Sequence, residues 1–225
     1  MGQKVTFTGN GTTSEGYLAV PASGTGPGVV VIGEWWGLLG QIRSVCDRFA
    51  AEGFVALAPD LYRGAATEEP DEAMRLMMGL AMDTAARDID GAARHLHERF
   101  GGRVATLGFG LGGSLALRAA GLSAHVDAAV GFYPDVPWER MGPEWGDYAG
   151  KVAVVHCSEE DGTSAGEGIR IATKVIEAAG GQLTVYDYPG TRHAFFDDDR
   201  ADVYSRDAAT AAWARTLELL RTRLA

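Results

Sequence analysis

Three side chains stand out for the chemistry they could do, and each lies beside a turn. Glu34 is in Gly33-Glu34-Trp35-Trp36-Gly37, Asp161 closes Ser158-Glu159-Glu160-Asp161, and His193 is in Thr191-Arg192-His193-Ala194-Phe195. Imidazole titrates near neutral pH, so it can take a proton and give it back. A carboxylate beside it orients the ring and stabilises its cationic form. Spacing along the chain does not by itself join the three. A surface aspartate and an incidental loop histidine would look the same. A fourth stretch, Gly108-Phe109-Gly110-Leu111-Gly112-Gly113, carries no reactive group, but its glycines permit close backbone approach. Cys46 falls on an apolar helix face and Cys157 at a strand end, and both read as packing residues. No zinc-ligand spacing and no P-loop occurs in the sequence, so no metal and no cofactor is expected.

Those groups need elements to position them, and the chain alternates between two periodicities. Val5–Thr8 and Tyr17–Val20 form an opening hairpin pattern around Gly9 to Gly11. Gly28–Ile32 is an unbroken apolar run, as in a strand covered on both faces. From Leu38 to Ala51 the spacing is helical, with Ile42, Val45, Cys46 and Phe49 on one face. Phe54–Ala58 returns to strand, and Asp71–Arg99 is helical in two pieces. Strand follows over Arg103–Leu107, helix over Leu111–Ala120, and strand over Ala128–Phe132. The end of the chain reads as strand Val152–Val155, helix Gly168–Ala179, strand Leu183–Tyr188 and helix Ala201–Leu224. Repeated strand–helix alternation predicts an α/β protein with a mostly parallel sheet of about eight strands and helices on both faces. No linker-like composition divides the chain, so one domain is expected over residues 1–225. Sheets of this kind bind ligands at the carboxyl ends of their strands, which is where all four motifs fall.

Composition narrows the partners. Twenty basic and thirty acidic residues give a net charge of −10, which argues against nucleic acid and anionic membranes. No apolar run is long enough to span a bilayer, and the first residues lack a signal-peptide core. With two cysteines and no disulfide framework, a cytoplasmic protein is expected, as a monomer or homodimer. Its partner would be a small carbonyl, ester or lactone-like molecule.

The order acid loop, glycine elbow, aspartate, histidine is that of an α/β-hydrolase. With the Asp60-Leu61-Tyr62 turn added, five motifs stand in sequence, and nearly the whole chain resembles the dienelactone hydrolase family. The resemblance implies an α/β-hydrolase fold, a His193–Asp161 pair, Glu34 facing the elbow, and an oxyanion hole from the N–H groups of Leu111 and Trp35. It also implies a small-carboxylate site to which Arg75 could contribute. The family's second arginine, a few residues past the histidine, is replaced here by Asp197. Trp36, Tyr62, Tyr133, Trp138, Trp145 and Phe195 lie near strand ends or in the Pro-rich stretch from Tyr133 to Gly150, and could line a larger, more apolar pocket.

One departure matters most. The family's elbow reads Gly-x-Cys-x-Gly-Gly, and the central residue here is Gly110, which has no atom to attack a carbonyl. Ser114 is one helical turn further on and would point away. Several readings follow. The protein could run acid–base chemistry next to a carbonyl, such as cyclisation, isomerisation, addition or elimination, with no nucleophile. It could be an ester or lactone hydrolase caught as an inactive variant, or a ligand-binding relative without catalysis. A dinucleotide binder is the more distant rival, since Gly108-x-Gly110-x-x-Gly113 matches G-x-G-x-x-G. Against it, the match lies mid-chain, and Asp127 precedes the next strand instead of closing it.

Overall fold

A computed structural model describes residues 2–9, 11–134, 146–162, 164 and 166–225. The strands are β1 (Gln3–Gly9), β2 (Thr12–Ala19), β3 (Gly28–Ile32), β4 (Val55–Pro59), β5 (Val104–Phe109), β6 (Val126–Phe132), β7 (Val152–Ser158) and β8 (Gln182–Tyr188). The helices are α1 (Gly40–Ala51), α2 (Pro70–Gly79), α3 (Met82–Phe100), α4 (Leu111–Leu122), α5 (Glu167–Ala178) and α6 (Arg206–Arg223). All eight strands form one sheet in the order β1-β2-β4-β3-β5-β6-β7-β8. β2 runs antiparallel to β1 and β4, and every pairing from β4 to β8 is parallel. This is the expected α/β-hydrolase fold.

Alternation along the strands divides the core in two. Val30 and Ile32 of β3 pack with Leu96 of α3, Leu115 of α4 and Ile176 of α5 on one face. Val29 and Val31 pack with Val45 and Phe49 of α1 and Leu217 and Leu220 of α6 on the other. A strand whose two faces are both covered must be apolar throughout, which explains the run in β3. Helix α4 is buried at eleven consecutive positions, Leu111 to Gly121, so it shows no polar face. In α2 only Ala73 is buried. No described helix is long and apolar enough to cross a membrane.

The sequence pattern starts the last helix too early. Residues 201–203 are a turn, and α6 begins at Arg206. The Tyr204 N–H donates to the Arg200 carbonyl at 2.9 Å and the Ser205 N–H to the Phe195 carbonyl at 3.0 Å. The chain is tied back to the residues after β8 and cannot enter a helix until it leaves them.

Chain connection runs from β3 to one side of the sheet (β4) and from β5 to the other (β6), so the topological switch lies between β3 and β5. Here α4 approaches unusually closely. A Cβ on Gly108 would stand 2.0 Å from the Gly112 carbonyl oxygen, and one on Gly112 would stand 2.3 Å from the Gly33 oxygen. Both obstacles are backbone and cannot turn aside. Gly108→Ala and Gly112→Ala are therefore expected to destabilise the protein by at least the ~1–3 kcal/mol typical of overpacked cores. Gly79→Ala, where a Cβ meets nothing within 4 Å, serves as the control. Thermal unfolding decides: melting temperatures for the elbow variants equal to the control's would contradict this packing.

Candidate active site at the carboxyl edge of the sheet

Gly110 joins β5 to α4 with φ 52° and ψ −122°, a conformation open to glycine and strained for other residues. Its N–H donates to the Phe132 carbonyl at 3.1 Å, and its carbonyl accepts from Gly113 at 3.0 Å and Ser114 at 3.3 Å. The turn is thereby tied to β6 on one side and to the helix on the other. The Leu111 N–H opens α4, where the helix dipole favours negative charge. Ser114 is fully buried within the helix packing.

Glu34 follows β3 and reaches across the switch point. A Cβ placed on Gly110 would lie 3.3 Å from its Cγ, 3.4 Å from its Cδ and 3.7 Å from Oε2. The carboxyl therefore fills the space beside the elbow. Trp36 Nε1–H donates to Oε2 at 3.3 Å, and the Trp35 and Trp36 rings meet edge to face at 5.2 Å. Gly37, at φ 88°, lets the loop turn against Ala65, whose carbonyl a Cβ would meet at 2.4 Å. Burial pushes the Glu34 carboxyl above its ordinary range. His193 and the Trp36 N–H work against that shift, Asp197 adds to it, and Arg200 opposes it.

His193 and Asp161 come together from the ends of β8 and β7. The imidazole Nδ1 lies 2.9 Å from Asp161 Oδ1 and 3.0 Å from Oδ2. Ser158 Oγ donates to Oδ2 and accepts from the Asp161 N–H, so the carboxylate is held from its own strand end. Nδ1–H pointing at a carboxylate leaves Nε2 as the proton acceptor. The two side chains are 31% and 28% exposed, and a pair that accessible contributes at most about 1 kcal/mol to stability. It orients more than it stabilises. The loop is held elsewhere: Thr191 Oγ1 donates to the Tyr188 carbonyl at 2.6 Å, and the His193 N–H donates to Glu160 Oε2 at 2.7 Å.

Strain concentrates on this edge. Among the described residues, the non-glycine positions with positive φ are Arg63, Tyr133 and Ala194, which follow β4, β6 and β8. Such positions persist only where surrounding structure enforces them, and they cluster at functional sites. Tyr133 sets its ring 5.0 Å from His193, edge to face, and its buried hydroxyl has no hydrogen-bond partner among the described residues. Burial, followed by the Glu34 charge, holds that phenol well above its usual pKa. The Tyr62 hydroxyl is likewise buried without a partner, and burial lifts its pKa to about 12. Tyr62 lines a narrow crevice with Glu34 and Leu61, and its loop is shaped by Asp60, which accepts from the Tyr62 and Gly64 N–H groups.

Other expected residues fall differently. Phe195 is fully buried against Tyr133 and Tyr188, so it supports the histidine loop from within and cannot touch a ligand as expected. Arg75 is 76% exposed and faces Glu72 at 3.8 Å; it borders a hollow of about 360 Å³ that Tyr62 also lines. Trp138 and Trp145 lie outside the described residues. Cys46 and Cys157 are buried and free, as expected of packing residues. The glycine motif does not fit a dinucleotide. The close approach at Gly108 is taken up by the elbow's own backbone at Gly112, and Asp127 is at the amino end of β6, away from the ligand edge.

Two features are not foreseen from the sequence. Arg200 acts on Glu34, Tyr133 and Asp197 from the position just before the segment that the sequence pattern assigns to helix. Arg63 donates to Asp88 at 2.6 Å and to Ser14 at 3.0 Å, and Ser14 donates to Asp88 at 2.7 Å. This buried network fastens the Tyr62 loop to β2 and α3. Its members are scattered along the chain, and no local pattern announces them.

Comparison with known proteins settles the family. Residues 14–224 match the family model of the dienelactone hydrolase family. The chain belongs to that family. It is 37% identical over 237 aligned positions to Protein usf of Aquifex pyrophilus, covering 100% of both chains. A protein of Aquifex aeolicus named as a candidate carboxymethylenebutenolidase is 34% identical over 234 positions, again covering 100% of each. The crystal structure of a candidate dienelactone hydrolase from Klebsiella pneumoniae shares the fold at a TM-score of 0.79, with 22% identity over 97% of both chains.

The raised Glu34 carboxyl gives a pH dependence with a definite sign. Because its pKa in the folded chain exceeds the ordinary 4.5, folding favours the protonated form. That stability is fully present below 4.5 and is lost as pH rises through the folded value. Glu34→Gln removes the penalty of ionisation. The melting temperature of the variant relative to the unmodified protein should therefore rise between about pH 4 and about pH 8. A difference that is flat or falls over this range would contradict the burial of Glu34.

Proposed function

We propose that this dienelactone hydrolase relative performs acid–base chemistry next to a carbonyl without forming a covalent intermediate. The carrying observation is the elbow: Gly110 offers no side chain, and the space where one would begin is bordered by Glu34 at 3.3 Å. The rest of the machinery is retained. His193 Nε2 takes the proton from the carbon beside the carbonyl, and Asp161 stabilises the imidazolium that results. In this reading the developing enolate oxygen accepts from the Leu111 N–H and the Trp35 N–H, which together act as an oxyanion hole. Trp35, Trp36 and Tyr62 supply the aromatic surface for a small carbonyl, ester or lactone-like ligand, and Arg75 lies beside Tyr62 at its rim. Tyr133, buried like Phe195, backs His193 from within instead of meeting the ligand as expected. A proton returned to a different atom makes an isomerisation, and a departing group makes an elimination. No step requires a cofactor, nucleic acid or membrane. The site is built from one chain, so a monomer or homodimer in the cytoplasm would suffice.

A second reading is favoured by the relatives' names. Carboxymethylenebutenolide is a lactone, so ester or lactone opening is the neighbouring reaction, with Gly110 marking an inactive form or a route through directly activated water.

Hydrolysis of activated esters tests the choice. With no nucleophile, p-nitrophenyl acetate should be cleaved at the background rate. Gly110→Cys must take up the strained φ of 52° and needs Glu34 to give by a few tenths of an ångström, and should show measurable turnover with a burst. Robust hydrolysis by the unmodified chain, abolished by Ser114→Ala, would overturn the proposal.

A further inference from the structure

We propose that Glu34 is a second proton-transfer group and that the reaction is an allylic proton shift, in which His193 removes a proton on one side of a carbon–carbon double bond and Glu34 delivers one at its far end. This rests on the function proposed above and deepens it.

The arrangement carries the inference. Glu34 arrives from β3 and His193 from β8, on opposite sides of the elbow after β5. The Leu111 N–H opens α4 directly after that elbow. An elbow side chain would separate the two; here a Cβ position 3.3–3.4 Å from Glu34 Cγ and Cδ is vacant, so the carboxyl borders the reaction space directly. Of the charged groups around Glu34, His193 acts on it most strongly. Burial favours the protonated form of the Glu34 carboxyl, whereas Asp161, hydrogen-bonded by Ser158 and partly exposed, serves the imidazole.

The step balances. The C–H bond next to the carbonyl breaks, its proton joins His193 Nε2, and its electron pair spreads into a dienolate whose oxygen faces the Leu111 N–H. The Glu34 O–H bond then breaks, its electron pair stays on the carboxylate, and the proton bonds to the far carbon as the carbonyl re-forms. Imidazolium and carboxylate remain, and transfer of the proton from His193 to Glu34 resets the site. No oxidant or co-reactant is consumed.

The test uses the enol lactone 5-methyl-2(3H)-furanone in D2O, followed by NMR. Exchange at C3 reports His193, and conversion to 5-methyl-2(5H)-furanone, with protonation at C5, reports the second group. The unmodified chain should accelerate both over buffer, and His193→Ala should lose both. Glu34→Gln should lower the ratio of conversion to exchange by roughly 10², the lower range for a positioned acid or base. Gly110→Ala, which crowds the same carboxyl, should lower that ratio independently, and circular dichroism establishes that each variant is folded. An unchanged ratio in both variants overturns the role of Glu34 and leaves the acid–base function standing. Neither exchange nor conversion above buffer overturns both. Opening of the lactone to 4-oxopentanoate by the unmodified chain replaces both with hydrolysis.

Discussion

Helix α4 sits so close to the sheet that backbone meets backbone, and the candidate site depends on this contact. The Gly112 Cβ position is 2.3 Å from the Gly33 oxygen and 2.4 Å from the Ile32 oxygen, distances that only hydrogen can tolerate. The approach places the amino end of α4 directly above the end of β3. It presents the Leu111 N–H at the switch point and brings the Glu34 loop against the elbow. A methyl group at either glycine would lift the helix and separate the groups. The surrounding core is ordinary, with alternating apolar residues under helices on two faces. Its contribution to chemistry is to press α4 down, since eleven of the helix's positions are buried.

Around that contact, chemically similar carboxyls are given different properties. Asp161 is fixed by its own strand's serine and by the imidazole, and remains partly exposed. Glu34 is half-buried with its carboxyl desolvated, and the Trp36 indole donates to Oε2. Asp197 is raised mainly by burial and lies in the same electrostatic neighbourhood, with Arg200 as the nearby cation. Positive-φ residues at three strand ends hold this edge in shape, with support from the Arg63–Asp88–Ser14 network below it. Orientation and desolvation do the differentiating, because the ion pairs themselves are too accessible to store much energy.

Much of this is legible in the sequence because the underlying physics is local or periodic. The run Gly28–Ile32 declares a doubly covered strand, and helical spacing from Ile42 to Phe49 declares the helix beside it. The strand-end motifs are readable in order because parallel sheets place all such ends on one edge. What escapes the sequence depends on contacts between distant positions. Phe195 has the composition of a pocket residue, but the turn at Ala194 sends it into the core. Arg200 looks like the lead-in to a helix until the Ser205 N–H is seen to bind the Phe195 carbonyl. Arg63, Asp88 and Ser14 are unremarkable singly, and only the fold makes them a network.

The central claim is that carbonyl chemistry proceeds here without attachment of the ligand to the protein. Intact-protein mass spectrometry after rapid quenching, during exposure to excess p-nitrophenyl acetate, addresses it most directly. The unmodified chain is expected to keep its free mass at every time point, while Gly110→Cys shows a transient acetyl adduct at residue 110. An acetyl adduct accumulating and decaying on the unmodified chain at the rate of product release would contradict it.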